Sequence, residues 1–432
     1  MQELTKYIID FLSRFPISQT GIVHYGNVDT ISDKTRINII PAFENFEITV
    51  LPKIPFEKIE NTPILYGKPE IIKRNGVLFV YADIIVSSFF LLSRYEEILK
   101  INCRDQHGRF LAKDAIIFQQ GYGDRPLVDE YGFLLRKWLR EVFTTENEII
   151  VPIEKRGFNK ISLTHDIDIP FRFERFTVVY KQIIKNILKY NYISSPFKKY
   201  LNEQYDNYYT FPKMINYDEN LRIALKEIKI ESIYFLITAG SFCNRKYYDL
   251  YSKKIDRLIN TLKKSGAEIG LHISYEAGIK PEKINCEIEK YKNKIKTDKF
   301  ISRHHFLSWR EPEDVVYIEK EGITDDYSLG YADSIGFRVG TCLPYKFINP
   351  RSKKITNIIV HPLEIMEVTL SRQNYMNLDY DNAFIQCKKI IDQTYKNNGE
   401  IVLLWHNDSF LDSNYFEKLY KNILEYIVFL TQ

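Results

Sequence analysis

The chain has 432 residues, 45% of them hydrophobic and 27% charged, a composition that excludes a wholly disordered chain, a collagen or a coiled coil. Its 60 Lys and Arg against 56 Asp and Glu leave a net charge of +4, too little to demand a nucleic acid or an anionic membrane as partner. The cysteines, Cys103, Cys243, Cys286, Cys342 and Cys387, are odd in number and contain no CxxC pair, which argues against a zinc knuckle or a disulfide framework.

The N-terminal stretch MQELTKYIIDFLSRFP carries Glu3 and Asp10 inside its apolar pattern and lacks a signal-peptide core. The richest apolar window, Val77 to Leu92, is interrupted by Asp83 and falls short of the roughly 20 residues of a membrane span. A reduced, cytoplasmic, soluble protein is expected. Tyr7, Ile8, Phe11 and Leu12 form a helical stripe; strands are expected around Ile37–Ile40, Phe46–Leu51 and Val77–Tyr81, and helices over Ser87–Leu99 and about Val128–Phe143. A polar turn, Asp105-Gln106-His107-Gly108-Arg109-Phe110, lies between those helices. Residues 1–150 thus read as a smaller α+β domain.

From Lys160 the rhythm changes. Short apolar runs at Ile161–Thr164, Ser232–Thr238, Glu268–Ile273, Phe300–Phe306, Gly336–Gly340, Ile358–His361 and Ile401–His406 alternate with helical segments such as Asp218–Ile228, Tyr247–Ser265, Glu282–Lys296, Pro312–Glu321 and Asp379–Asn397. The alternation indicates an α/β domain over 151–432 with largely parallel strands. Its runs fit an incomplete (β/α) barrel at least as well as an open sheet, and the polar 185–211 stretch reads as an insertion or lid. Chemistry in such barrels sits at the C-terminal ends of the strands.

Titratable side chains gather at those ends. Asp166 and Asp168 are two residues apart, so on an extended chain they share a face and His165 takes the other. Two carboxylates this close call for a cation in a dry pocket, unless they only form an Asx-type turn. His272 ends the Glu268–Ile273 run, with Tyr275 and Glu276 following. Arg303 and His305 share one face while His304 takes the other; a guanidinium there can hold a neighbouring catalytic carboxylate ionised. The apolar run Ile401–Trp405 ends in His406, a placement suited to a general acid. Arg338, between Gly336 and Gly340, either binds substrate or turns the chain.

Thr164-His165-Asp166-Ile167-Asp168, Gly270-Leu271-His272, Arg303 in its strand-end motif and Leu403-Leu404-Trp405-His406 resemble, in that order, the motifs of the polysaccharide deacetylases (the NodB-homology, or carbohydrate esterase family 4, type). The resemblance covers about 160–410. It implies a distorted (β/α) barrel in which Asp166 is the base, Asp168 and His272 are metal ligands, Arg303 orients the base and His406 is the acid. The family's second motif has two His at i and i+4; here i+4 from His272 is Glu276. Either Glu276 replaces that His or His305 supplies the third ligand. His305 is favoured, because His is the commonest neutral ligand and shares a face with Arg303.

The first unit resembles an uncharacterised N-terminal region that accompanies one branch of bacterial deacetylase-like proteins, where the segments around His272, Arg303-His304-His305-Phe306 and Gly336-Phe337-Arg338 also recur. That match implies no role for it. The function implied is a metal-dependent hydrolase that takes an acyl group, N-acetyl first, from a carbohydrate in surface-polysaccharide metabolism. A divalent ion is implied, and Zn²⁺ suits an Asp/His/His set. Tyr275, Arg338 and Trp405 are expected to meet the carbohydrate. Two alternatives stay open: hydrolysis of another non-peptide amide in a small metabolite, and a non-catalytic sugar-binding or assembly protein on the same scaffold.

Overall fold

The computed structural model describes residues 2–143, 151–173, 180–181, 183–184, 194–242, 245–246 and 248–432. The first helix, α1 (Gln2–Ser13), turns Leu4, Ile8, Ile9 and Leu12 inward on one face, the spacing of an amphipathic helix. Strands β1 (Val23–Tyr25), β2 (Ile37–Ile39), β3 (Gly67–Arg74) and β4 (Val77–Ala82) form a sheet in the order β1-β2-β4-β3, parallel except for the β3–β4 pair. Helix α2 (Ile84–Leu92) starts at Asp83, whose carboxylate accepts a hydrogen bond from the Val86 amide at 2.9 Å, the N-cap arrangement. Helices α3 (Tyr95–Leu99) and α4 (Leu127–Val142) follow.

Two elements here differ from expectation. Phe46–Leu51 is not a strand, because Asn45 and Phe46 take positive φ (50° and 55°) and turn the chain out of an extended path. The expected Ser87–Leu99 helix breaks at Arg94, at φ 58°, where the buried guanidinium folds back onto Glu97 at 2.6–2.8 Å. Of the 185–211 stretch, residues 185–193 lie outside the described residues; Ser194–Leu201 is a helix.

Beyond two short two-stranded pairs, the strands that build the second sheet are β5 (Phe158–Ile167), β6 (Lys229–Leu236), β7 (Glu268–Ile273), β8 (Ile301–His304), β9 (Asp325–Asp326), β10 (Tyr345–Ile348), β11 (Ile355–Val360), β12 (Ile365–Met366) and β13 (Gly399–Leu404). They form one curled half-barrel sheet, in the order β10-β11-β9-β8-β7-β6-β5-β13-β12, with only the β10–β11 pair antiparallel. Helices Phe211–Ala224, Lys253–Lys264, Ile284–Ile295 and Tyr380–Lys396 run between strands. Strands buried on both faces read as unbroken apolar runs, and every residue of β13 is buried.

The expected strand at Gly336–Gly340 is instead a turn. Both glycines have positive φ (130° and 72°), and a Cβ at Gly336 would strike the Gly123 carbonyl oxygen. The Phe337 amide donates to Gly123 at 3.0 Å and the Val128 amide to Gly340 at 2.7 Å, so this segment leans on the N-terminal unit. The two-residue strand β9 takes the place in the sheet between β8 and β11. Buried apolar side chains of both units, from Leu4 to Ile427, belong to one continuous cluster.

Across the floor of the half-barrel runs a buried charge network. His361 Nδ1 lies 2.6 Å from Glu400 Oε2 and its Nε2 lies 3.0 Å from Asp325 Oδ1; Lys160 pairs with Glu400 (3.1 Å) and Glu231 (2.8 Å). Burial alone would lower the His361 pKa, but Glu400 and Asp325 outweigh it and raise the value. Glu400, which burial alone would raise, is held down to about 2 by His361 and Lys160. A raised imidazole stabilises the fold fully below its unfolded pKa, about 6.5, and loses that stabilisation as pH climbs through the folded value. The Glu400 contribution holds above its unfolded pKa and is lost as pH falls toward 2. Thermal stability should therefore decline from about pH 6.5 upward, and His361→Gln should flatten that alkaline slope. Equal slopes in thermal melts of the two proteins would contradict this.

Candidate active site

The C-terminal ends of β5, β7, β8 and β13 converge on one cleft. Alternation sends Asp166 and Asp168 toward it, and His165 away to Trp405 O (3.1 Å) and Asp218 (3.2 Å). Asp166 Oδ1 accepts from Arg303 Nη1 at 2.9 Å, and its Oδ2 stands 3.3 Å from His272 Nε2. Asp168 Oδ1 lies 3.3 Å from the same Nε2, and Asp168 Oδ2 lies 3.2 Å from His305 Nε2. His272 Nδ1 is 2.9 Å from the Arg303 carbonyl oxygen. A carbonyl only accepts, so Nδ1 carries the proton and Nε2 is the atom turned toward the carboxylates.

The two carboxylates and the basic groups around them shift one another's titration. Burial pushes the Asp166 carboxyl up, but His272, Arg303 and His406 together hold it below its ordinary range. Asp168 is likewise opposed by burial and held well below, chiefly by His305 and His272. The two carboxylates in turn raise His272 against its burial.

The donor set fits a cation. One oxygen of Asp168 and one nitrogen each of His272 and His305 lie within 4.8 Å of one another. Asp168 Oδ1 and His272 Nε2 are buried yet make no hydrogen bond, a costly state that a shared positive ion relieves. One carboxylate and two imidazoles form a borderline set that suits Zn²⁺ and related divalent ions, with positions left open for water and substrate. Glu276, the alternative third ligand, pairs with Lys283 instead.

On the opposite wall stands His406. Its Nδ1 is 2.7 Å from Glu367 Oε1, which also accepts from the His406 amide (2.8 Å) and Ser409 Oγ (2.6 Å). Its Nε2 faces Asp168 Oδ2 at 3.8 Å. Burial would lower this imidazole, but Glu367, then Asp168 and Asp166, raise it to about 10. Between His406 and the acidic cluster lies a cavity of about 110 Å³, room for roughly three or four waters at ~30 Å³ each. Leu307, Met366, Val368 and Leu404 give it apolar sides, while Arg109, Arg372 and Tyr375 stand at its edge. A groove of about 500 Å³ opens beside it and shares Asp168, His406 and Arg372.

Comparison with known proteins adds little to this geometry. Residues 5–144 match a family of unknown function, DUF7033. A crystal structure from Mycobacterium smegmatis, titled provisionally a polysaccharide deacetylase, is 12% identical over 66% of this chain and 88% of its own, with a TM-score of 0.37. No curated protein matches.

Three residues expected to meet the substrate are not among those lining this cavity and groove. Arg338 is buried against the N-terminal unit, donating to Glu97 at 2.8 Å and to Gly330 O at 2.9 Å, because the Gly336–Gly340 turn carries it away from the sheet. Trp405 alternates with Leu404 and His406 and so faces the core, its Nε1 donating to Phe416 O at 3.1 Å. Tyr275 is one layer back: its hydroxyl meets His107 Nδ1 at 3.1 Å and its ring packs on Phe306. His304 turns to Ser328 and Trp309, neutral with a pKa pressed to about 3 by burial. Sequence reasoning assigned nothing to Glu367, Arg109, Arg372 or Tyr375. Only Arg109 carried a local signal, the polar turn around Gly108.

Proposed function

We propose that the chain is a metal-dependent hydrolase that releases a small acyl group, N-acetyl first, from a carbohydrate amide. One observation carries the reading. A carboxylate fixed by an arginine (Asp166–Arg303) and an imidazole fixed by a carboxylate (His406–Glu367) flank a small cavity beside the Asp168/His272/His305 donor set.

A divalent ion held by Asp168, His272 and His305 would supply Lewis acidity toward an acyl carbonyl and make water a better nucleophile at neutral pH. Asp166 Oδ2 takes the proton of the attacking water; Arg303, engaged at Oδ1, keeps the carboxylate ionised and its free oxygen aimed inward. His406 Nε2 gives a proton to the departing amine, and Glu367 on Nδ1 holds the ring charged and in place. The apolar walls take the acyl end and exclude bulk water. The cavity of about 110 Å³ takes a small acyl group, and the adjoining groove takes the rest of the substrate.

The test pairs metal analysis with product release. The full chain should hold about one divalent ion and free acetate from N-acetylated oligosaccharides. Acetate from N-acylated small metabolites alone moves the substrate class, and a chain that binds no divalent ion loses the hydrolase reading for the non-catalytic scaffold. Glu367→Gln should keep the ion and lower kcat by about 10- to 100-fold, as expected when the partner that orients a reacting imidazole is lost. Unchanged kcat would remove Glu367 as the group that holds His406 for the chemistry.

A further inference from the structure

The corner that follows β8 is held in an unfavourable backbone by the N-terminal unit. His305, the third donor of the Asp168/His272/His305 set, is followed by Phe306 and Leu307, both at positive φ (62° and 53°). For bulky non-glycine residues such conformations are disfavoured and persist only where the surroundings over-determine them.

Those surroundings come largely from residues 94–110. Arg109 Nη1 donates to the Phe306 carbonyl oxygen at 3.1 Å, and its Nη2 to Tyr375 Oη at 3.1 Å. The guanidinium is itself aimed by two bonds to Asp105 Oδ2, at 2.9 and 2.7 Å. The His107 ring packs on Phe306, with centroids 5.1 Å apart, and the His107 carbonyl accepts from Arg310 Nε at 2.7 Å. Gly108 makes that approach possible: at φ 75° it takes a left-handed turn, and a Cβ there would sit 2.6 Å from Arg310 Nε. Arg94 Nη2 donates to both the Trp309 and Arg310 carbonyls at 3.0 Å. The strained corner is thus pinned on its carbonyl side by three side chains and one tight turn of the N-terminal unit, and Arg109 also lines the catalytic cavity.

We infer that Arg109 is a positioning residue for the metal-binding set, and that the N-terminal unit serves to fix the corner presenting His305 Nε2 beside Asp168. The inference rests on the metal-site reading of the preceding section. Arg109 does not touch the donor set; it acts through the Phe306 carbonyl, one residue from His305. Without it the chain at Phe306 and Leu307 relaxes toward ordinary backbone, and His305 leaves the geometry it shares with Asp168 and His272.

The experiment measures Zn²⁺ affinity of the full-length, metal-stripped chain against a chromophoric chelator, for the unsubstituted protein, Arg109→Ala and Arg109→Lys. Circular dichroism of the stripped proteins shows that each is folded. Arg109→Ala should bind Zn²⁺ about 10- to 100-fold more weakly, the usual cost of losing an outer support of a metal site. Arg109→Lys keeps a cation beside Asp105 but cannot bond Asp105, Phe306 and Tyr375 at once, so it should fall between. A loss of packing alone would lower the melting temperature and leave Kd unchanged at a temperature where all three are folded. Affinities within about twofold of one another would overturn the inference while leaving the hydrolase reading intact; if Arg109→Ala does not fold, unchanged affinity in Arg109→Lys has the same force. Failure of the unsubstituted chain to bind Zn²⁺ would instead sink the metal-site reading, and this inference with it.

Discussion

Asp166→Asn should retain its metal and fold yet release acetate about 10²- to 10⁴-fold more slowly, the worth of a positioned general base. The substitution is nearly isosteric and leaves an oxygen to accept from Arg303 Nη1. The donor set of Asp168, His272 and His305 is untouched. What disappears is the negative charge that His272, Arg303 and His406 hold in place against burial, and with it the capacity to take a proton. An aspartate that only shaped the turn after β5 would be replaced by asparagine without loss, since both make Asx turns. Measuring acetate release and bound metal on the same sample separates the two roles. Full activity with metal present would remove Asp166 as the base.

Asp168→Ala and His272→Ala should each abolish stoichiometric metal binding. Asp168 bridges toward both imidazoles, at 3.3 Å and 3.2 Å, so its loss removes the carboxylate that faces both nitrogens. His272 is fully buried, and its Nδ1 bond to the Arg303 carbonyl fixes where Nε2 points. In the unsubstituted protein an ion at about 100 times its Kd should add about 2.7 kcal/mol to stability. Neither variant should gain from added Zn²⁺. His304→Ala should keep the metal-dependent gain, because that ring packs on Trp309 and bonds Ser328 on the other side of the strand. The check is a melting curve with and without Zn²⁺ for all four proteins. A metal-dependent gain in Asp168→Ala would show that the ligand set is wrong.

The half-barrel was legible because its strands are buried on both faces and so appear as apolar runs that end in polar residues. Period-two alternation then sorted neighbours onto faces. Asp166 reaches Arg303 and His272 whereas His165 reaches Asp218, and Arg303 and His305 face the acidic cluster while His304 faces Ser328. Alternation also bore on Trp405, which falls between Leu404 and His406 and therefore faces the core. The surroundings of Arg338 were illegible for a different reason: its turn is shaped by a close approach to Gly123, a contact across more than 200 residues of chain that no local pattern records. Glu367 was invisible on the same ground, and for Arg109 the polar turn around Gly108 was legible but its partner was not. Each earns its place by what it touches, His406 for one and the Phe306 carbonyl for the other, and neither partner is near it in sequence.

The apolar cluster that joins the two units bears on how the protein comes apart. Side chains from Leu4 in the first helix to Ile427 in the last belong to one large apolar cluster, and Tyr345 of the sheet edge donates its hydroxyl to the Leu92 carbonyl of the N-terminal unit at 2.7 Å. A shared apolar interior couples the unfolding of the two regions. Heating should therefore melt the chain in one calorimetric peak rather than two. Cutting between the units, as a shortened expression clone would, should leave each half with an uncovered greasy face and a tendency to precipitate.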